Sequence, residues 1–187
     1  MRKNKPKTAQ KVSSKYFGWA LSIAIITFAL AILFSFVAQI ANKSDILVSF
    51  MLLQFMILTS VVFDGIGVSV TSCNKVLFCE KYGKSNSKNC KLAIKLIENA
   101  EKVNNICNDV IGDMCGILCG ACGLSIALKI DISQVWFNFV CIVVSSIIAS
   151  LTVGGKALMK SFAVNNSCEF VLLTAKIINL FKFARQK

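Results

Sequence analysis

ILVSFMLLQFMILTSVVFDGIGVSVTSC, residues 46–73, is an apolar run broken by one charge, Asp64. It exceeds the roughly 20 residues, at about 1.5 Å each, that cross a ~30 Å hydrocarbon layer as a helix. Three further runs flank it. YFGWALSIAIITFALAILFSFVAQIA, 16–41, has no charge and opens with Tyr16, Phe17 and Trp19, where an interfacial aromatic belt belongs. ICNDVIGDMCGILCGACGLSIAL, 106–128, carries Asp109 and Asp113, and VWFNFVCIVVSSIIASLTVGG, 135–155, is uncharged. The short turns NKSD (42–45) and KIDISQ (129–134) join them in pairs. With 56% hydrophobic residues and a mean hydropathy of +0.69, the chain is too apolar for a soluble protein of 187 residues. The expected class is all-α and integral to a membrane, with about four transmembrane helices and amphipathic juxtamembrane helices. A signal peptide is the competing reading of 16–41, since Ala38 and Ala41 resemble a cleavage site. The run is longer than a typical signal, so it is expected to stay as a span.

The placement of charge gives the orientation. Nineteen of the 21 Lys and Arg fall in 1–15, 74–105 and 156–187, and only Lys43 and Lys129 lie in the short turns. Lys and Arg resist translocation and meet anionic head groups on the inner leaflet. Both termini are therefore expected in the cytoplasm, with the lipid bilayer and its anionic head groups as partners. A net charge of +12 also raises nucleic acid. The basic residues lie between apolar runs rather than along an aromatic-bearing stripe, so no nucleic-acid partner is expected. The abundance of Lys, Asn and Ile points to an AT-rich bacterial genome, and so to an inner (plasma) membrane. Residues 87–105 have helical periodicity, with Leu92, Leu96, Ile97, Ala100 and Val103 on one face and Ser87 as N-cap. That stretch is expected to lie on the membrane surface, as is the tail, where Phe170, Leu173, Ile177 and Phe181 share a face.

Nine Cys and no His exclude histidine catalysis and most zinc sites. Cys115, Cys119 and Cys122 fall on one helical face, where packing is favoured over a soft-metal site. No phosphate loop, nucleophile elbow or HExxH motif is present, and no enzyme is expected. Chemistry concentrates on Asp64 and Asp113, because an intramembrane carboxylate must be paired, hydrated or coordinating an ion. Neither of their spans offers a Lys or Arg nearby. Their spans run in opposite directions, so both Asp can lie at one depth and suit a hard cation such as Mg²⁺. The alternative is that both stay protonated or cap loops. Gly65 and Gly67 would loosen their helix, and Gly112, Gly116 and Gly120 form a small-xxx-small packing face. Ser69, Thr71 and Ser72 offer hydroxyls, or bond back to their own helix.

These residues carry a resemblance. Residues 46 to about 160 resemble the transmembrane domain of the cyclin M/CorC family of magnesium transporters. Phe63-Asp64-Gly65-Ile66-Gly67-Val68-Ser69 stands where the family has F-S-x-x-E-T-A. Lys91 to Lys102 looks like its A-x-x-L-L-E-N-P-E-R segment, and Ile111-Gly112-Asp113 falls where I-G-N belongs. The family's Ser and Glu become Asp64 and Gly67, its Asn becomes Asp113, and its second Asn falls at Ile117. The resemblance divides the chain into a basic N-terminus (1–15), an extra span (16–41), the family-like domain (46–160, including 87–105) and an amphipathic cytoplasmic tail (161–187). The regulatory CBS pair that usually follows is not in this sequence. The resemblance implies Mg²⁺ transport or binding by a homodimer, with Asp64, Asp113, Gly112 and Ser69 around the ion. The altered motifs keep open a non-transporting regulator or scaffold acting through its basic cytoplasmic surface.

Overall fold

A computed structural model describes residues 7–82, 87–130 and 133–184. Residues 1–6 of the basic N-terminus, 131–132 of the second short turn and 185–187 of the tail lie outside the described residues. All regular structure among the described residues is helical: α1 (Lys7–Lys43), α2 (Ile46–Ser72), α3 (Lys75–Tyr82), α4 (Lys88–Glu98), α5 (Ala100–Asn104), a π-helical segment (Asn105–Gly112), α6 (Asp113–Leu128), α7 (Gln134–Asn165) and α8 (Ser167–Ala184). Four stretches are long and apolar enough to cross a membrane: Gly18–Ile40, Ile46–Ser72, Ala100–Leu128 and Val135–Asn165.

Two of these outrun the sequence-based boundaries. The third begins at Ala100, because α5 runs through the π-helical segment into α6 without a break. The fourth continues ten residues past Gly155, the last residue of its apolar run, because Lys156-Ala157-Leu158-Met159-Lys160 contains no helix breaker and Asn166 is the first residue to leave helical geometry. Thirty-two residues at about 1.5 Å make α7 roughly 48 Å long, so one end must project beyond the hydrocarbon.

Two cores hold the bundle. In the apolar half, Leu53 and Met56 of α2 meet Cys115, Leu118, Cys119 and Cys122 of α6 and Ile148 of α7, with Phe34, Val37 and Ala38 of α1 against them. The three Cys of α6 are therefore packing residues. At the turn end, Lys129 Nζ donates to Ser44 O at 2.5 Å and Ser49 Oγ at 2.6 Å, tying the two turns together. At the opposite, polar end, Val70, Cys73, Phe78, Ala93, Val171 and Ala175 make a second core joining α2, α3, α4 and α8.

The second core corrects the expectation for residues 87–105. Ser87 does cap α4, accepting from Cys90 N–H at 3.3 Å. The apolar face of α4 is covered by protein, however, chiefly α8 and Phe78, and not left for lipid. α8 divides its faces. Val171 and Ala175 are buried in this core, whereas Leu173, Ile177, Leu180 and Phe181 are exposed, the arrangement expected of a helix lying along an interface.

Glycine lets two of the helices touch. A Cβ on Gly67 would sit 2.8 Å from Asn104 Oδ1 and 3.3 Å from Asn104 Cα, and the backbone cannot yield easily. Gly116 and Gly120 face open space. Gly67→Ala is therefore expected to destabilise by about 1–3 kcal/mol through overpacking. Gly116→Ala should be neutral or stabilising by up to about 1 kcal/mol. Thermal unfolding in detergent checks the order of the two.

Candidate functional site

Asp64 is the most buried Asp, Glu, Lys or Arg among the described residues, with 1% of its surface exposed. Its place follows from helix geometry. Ser60, Asp64 and Gly67 recur at i, i+4 and i+7 and so share one stripe of α2. Both ends of that stripe meet the neighbouring chain segment. Ser60 Oγ donates to Gly112 O at 2.8 Å, and Gly67 closes on Asn104. Asp64 lies between these crossings on α2, and the chain segment between Asn104 and Gly112 is the π-helical stretch Asn105–Gly112.

That segment replaces the usual i→i−4 bonding by a wider i→i−5 pattern. Its closing bond runs from Asp113 N–H to Asn108 O. Such inserts are uncommon and concentrate at functional sites. Here the segment starts directly after Asn104, which stands at one crossing, and ends at Gly112, which stands at the other.

α7 supplies the charge. A Cβ on Gly65 would strike Met159, and one on Gly155 would sit 2.9 Å from Val61, so α2 and α7 are in close contact along this level. Lys156 and Lys160 follow Gly155 and Met159 and share a face at i, i+4. Lys160 Nζ lies 3.4 Å from Asp64 Oδ2, and Lys156 Nζ lies 3.5 Å from Asp113 Oδ1. The lysines absent from the two Asp-bearing spans thus arrive from the end of the fourth. The apolar run ends at Gly155, which put both lysines outside the expected span and concealed this.

The two pairs differ. Asp113 is 66% exposed while Lys156 is 18% exposed, so there the cation is the sheltered partner. In the other pair Asp64 is enclosed and the Lys160 side chain is 46% exposed. The 3.4 Å contact is not aligned as a hydrogen bond, and neither Asp64 oxygen accepts one from the described residues. An enclosed carboxylate with unused lone pairs and a half-exposed counter-ion is unusual, since buried carboxylates normally gather several donors.

The other expected residues are placed as follows. Gly112 O is engaged by Ser60, and Lys156 reaches across Gly112 to Asp113. Ser69 Oγ donates to Ile66 O at 2.8 Å within its own helix, and Thr71 does the same to Val68 O. Asp113, Gly116 and Gly120 line an open groove of about 510 Å³ between α6 and α7, together with Ala149, Thr152 and Lys156. Among the described residues, no group of three or more His, Cys, Asp or Glu is gathered as metal ligands. Ser60, Asn104 and Lys160 were missed in the sequence; the four-residue spacing of Lys156 and Lys160 was the available signal.

In comparisons with known proteins, no family model, curated protein or solved structure matches this chain.

Removing Lys160 leaves Asp64 enclosed and uncompensated. Lys160→Met is expected to destabilise by about 1–3 kcal/mol, below the cost of breaking a fully buried pair because Lys160 is half exposed. Lys156→Met should cost less, since Asp113 can hydrate itself. Adding Asp64→Asn to Lys160→Met should restore part of the loss. A double-mutant cycle on thermal unfolding measures the coupling.

Proposed function

We propose that this chain binds and transports a hard cation, Mg²⁺ before others, with Asp64 as the inner ligand and Asp113 as the outer one. The observation that supports it is the enclosed carboxylate of Asp64, which among the described residues accepts no hydrogen bond and is paired with the ammonium of Lys160. Lys160 acts in this scheme as an internal counter-ion that the incoming cation displaces. Its side chain is half exposed and long enough to swing its ammonium towards water and head groups.

Charge balance favours a dication. Each Asp–Lys pair is neutral, and releasing both ammonium groups frees two negative charges, as many as one Mg²⁺ carries. The exposed Asp113 meets the ion first, and the enclosed Asp64 receives it. Ser60 and Asn104, at the two crossings that bracket Asp64, add neutral oxygens of the kind a hard ion accepts. The sequence resemblance points to the same ion class. It also carries the expectation of a homodimer, for which the open Gly116–Gly120 groove offers a surface.

A second reading has its own support. α3, α4 and α8 build a separate core at the polar end. The exposed pairs Lys75–Glu98 (2.6 Å) and Lys81–Glu169 (2.9 Å) fasten its surface. Each carboxylate, by its hydrogen bond first and its charge second, holds its lysine above the usual ammonium range. Such a platform suits a regulator or scaffold that recruits partners.

Calorimetric Mg²⁺ titration and Mg²⁺ flux in proteoliposomes separate the two. Asp64→Asn is expected to abolish both and Asp113→Asn to weaken them. Lys160→Gln should bind Mg²⁺ more tightly than wild type, because the competitor is gone. Wild-type protein with neither binding nor flux would overturn the transport reading in favour of the scaffold.

A further inference from the structure

The end of α2 and the start of α8 bring two thiols together, away from the Asp–Lys pairs. Cys73 is the residue that closes α2, its N–H bonded to Ser69 O at 3.0 Å. Cys168 lies in the first turn of α8. Ninety-five residues separate them in sequence, yet their Sγ atoms are 2.8 Å apart. A disulfide needs about 2.05 Å, so closure asks the sulfurs to approach by less than about 1 Å.

The two thiols are unequally placed. Cys73 is buried, at 5% exposure, inside the second core. Burial first, then the adjacent Cys168 thiol, pushes the Cys73 thiol up to about 12, so it is inert towards reagents from outside. Cys168 is half-buried and borders an open groove of about 590 Å³, lined also by Leu77, Glu80, Lys81, Asn166 and Glu169. An accessible thiol backed by a buried one is the arrangement that separates an attacking cysteine from a resolving cysteine.

We propose that Cys73 and Cys168 form a reversible dithiol–disulfide site, closed by exchange with a low-molecular-weight disulfide such as oxidised glutathione entering the groove over Cys168. The Cys168 thiolate attacks one sulfur of that disulfide and expels the first small thiolate, leaving a mixed disulfide. Cys73, already in contact, loses its proton and attacks Cys168 Sγ, and the second small thiolate leaves. The two protein protons end on the two expelled thiolates. One disulfide is consumed, two small thiols are released, and the protein is oxidised by two electrons. Excess small thiol reverses the sequence. Both cysteines lie at the end of the molecule rich in Lys, expected to face the cytoplasm, where disulfides are transient and redox-sensing. The closed bond would fasten the α7–α8 elbow to the end of α2, two turns from Lys160. The chemistry itself is independent of any bound cation.

The test uses the full chain in proteoliposomes, equilibrated with reduced and oxidised glutathione at a series of ratios. The protein is then denatured in detergent at low pH, free thiols are trapped with a maleimide, and peptides are mapped by mass spectrometry. The expected result is a cross-linked pair of peptides holding Cys73 and Cys168. Both should lose maleimide reactivity together, and excess reduced glutathione should restore both. In Cys73→Ser, Cys168 should stop at the glutathione adduct, and in Cys168→Ser, Cys73 should stay unmodified. An unresolved adduct on Cys168 of the wild type would overturn the proposal. So would full maleimide labelling of both at the most oxidising ratio, or glutathionylation of Cys73 in Cys168→Ser.

Discussion

A carboxylate taken out of water has to be neutralised, and at Asp64 one ammonium group does this. That requirement organises the polar half of the molecule. It needs α7 to remain helical for ten residues past its apolar stretch, so that Lys156 and Lys160 arrive one turn apart beside α2. It needs small residues where α2, α7 and the chain before α6 converge, and Gly65, Gly67, Gly112 and Gly155 stand there. Asp64 lies 18 residues, about 27 Å, along α2 from the turn end, close to the far edge of a ~30 Å hydrocarbon layer. At that depth a lysine can bond inward and still reach head groups, and the half-exposed Lys160 fits this.

The rest of the packing divides by solvent. In the apolar half there is no hydrophobic drive between helices, so close van der Waals contact must serve, and the buried stripe Cys115, Cys119 and Cys122 supplies small, polarisable surfaces for it. The outward faces of α1, α2 and α7 keep large apolar side chains exposed, as lipid contact requires. The second core works by ordinary burial of Phe78, Ala93, Val171 and Ala175. Cys73 and Cys168 sit where these two regimes meet.

Much of this was legible in the sequence. Long apolar runs with at most two charges each reported the four stretches long and apolar enough to cross a membrane. The N-cap at Ser87 and the self-bonded hydroxyls of Ser69 and Thr71 followed local rules that tertiary structure had no reason to override. The boundary at Gly155 was misplaced because hydropathy reports solvent and not helix continuity: Lys156 ends an apolar run without ending a helix. The π-helical segment left no trace, since one extra residue in a turn changes no composition. The fate of α4 was hidden for another reason. An amphipathic face looks the same whether lipid or α8 covers it, and only the tertiary arrangement decides.

The charge state of Asp64 separates an ion-pairing, cation-exchanging carboxylate from a protonated packing residue. Infrared difference spectroscopy of the protein in lipid at neutral pH, wild type against Asp64→Asn, reads it directly. The expected difference is a carboxylate stretch lost in the variant, shifting on titration with Mg²⁺ as the ammonium of Lys160 is exchanged for the metal. A protonated carbonyl band lost in its place, indifferent to Mg²⁺, would contradict the Asp64–Lys160 pair and the cation site built on it.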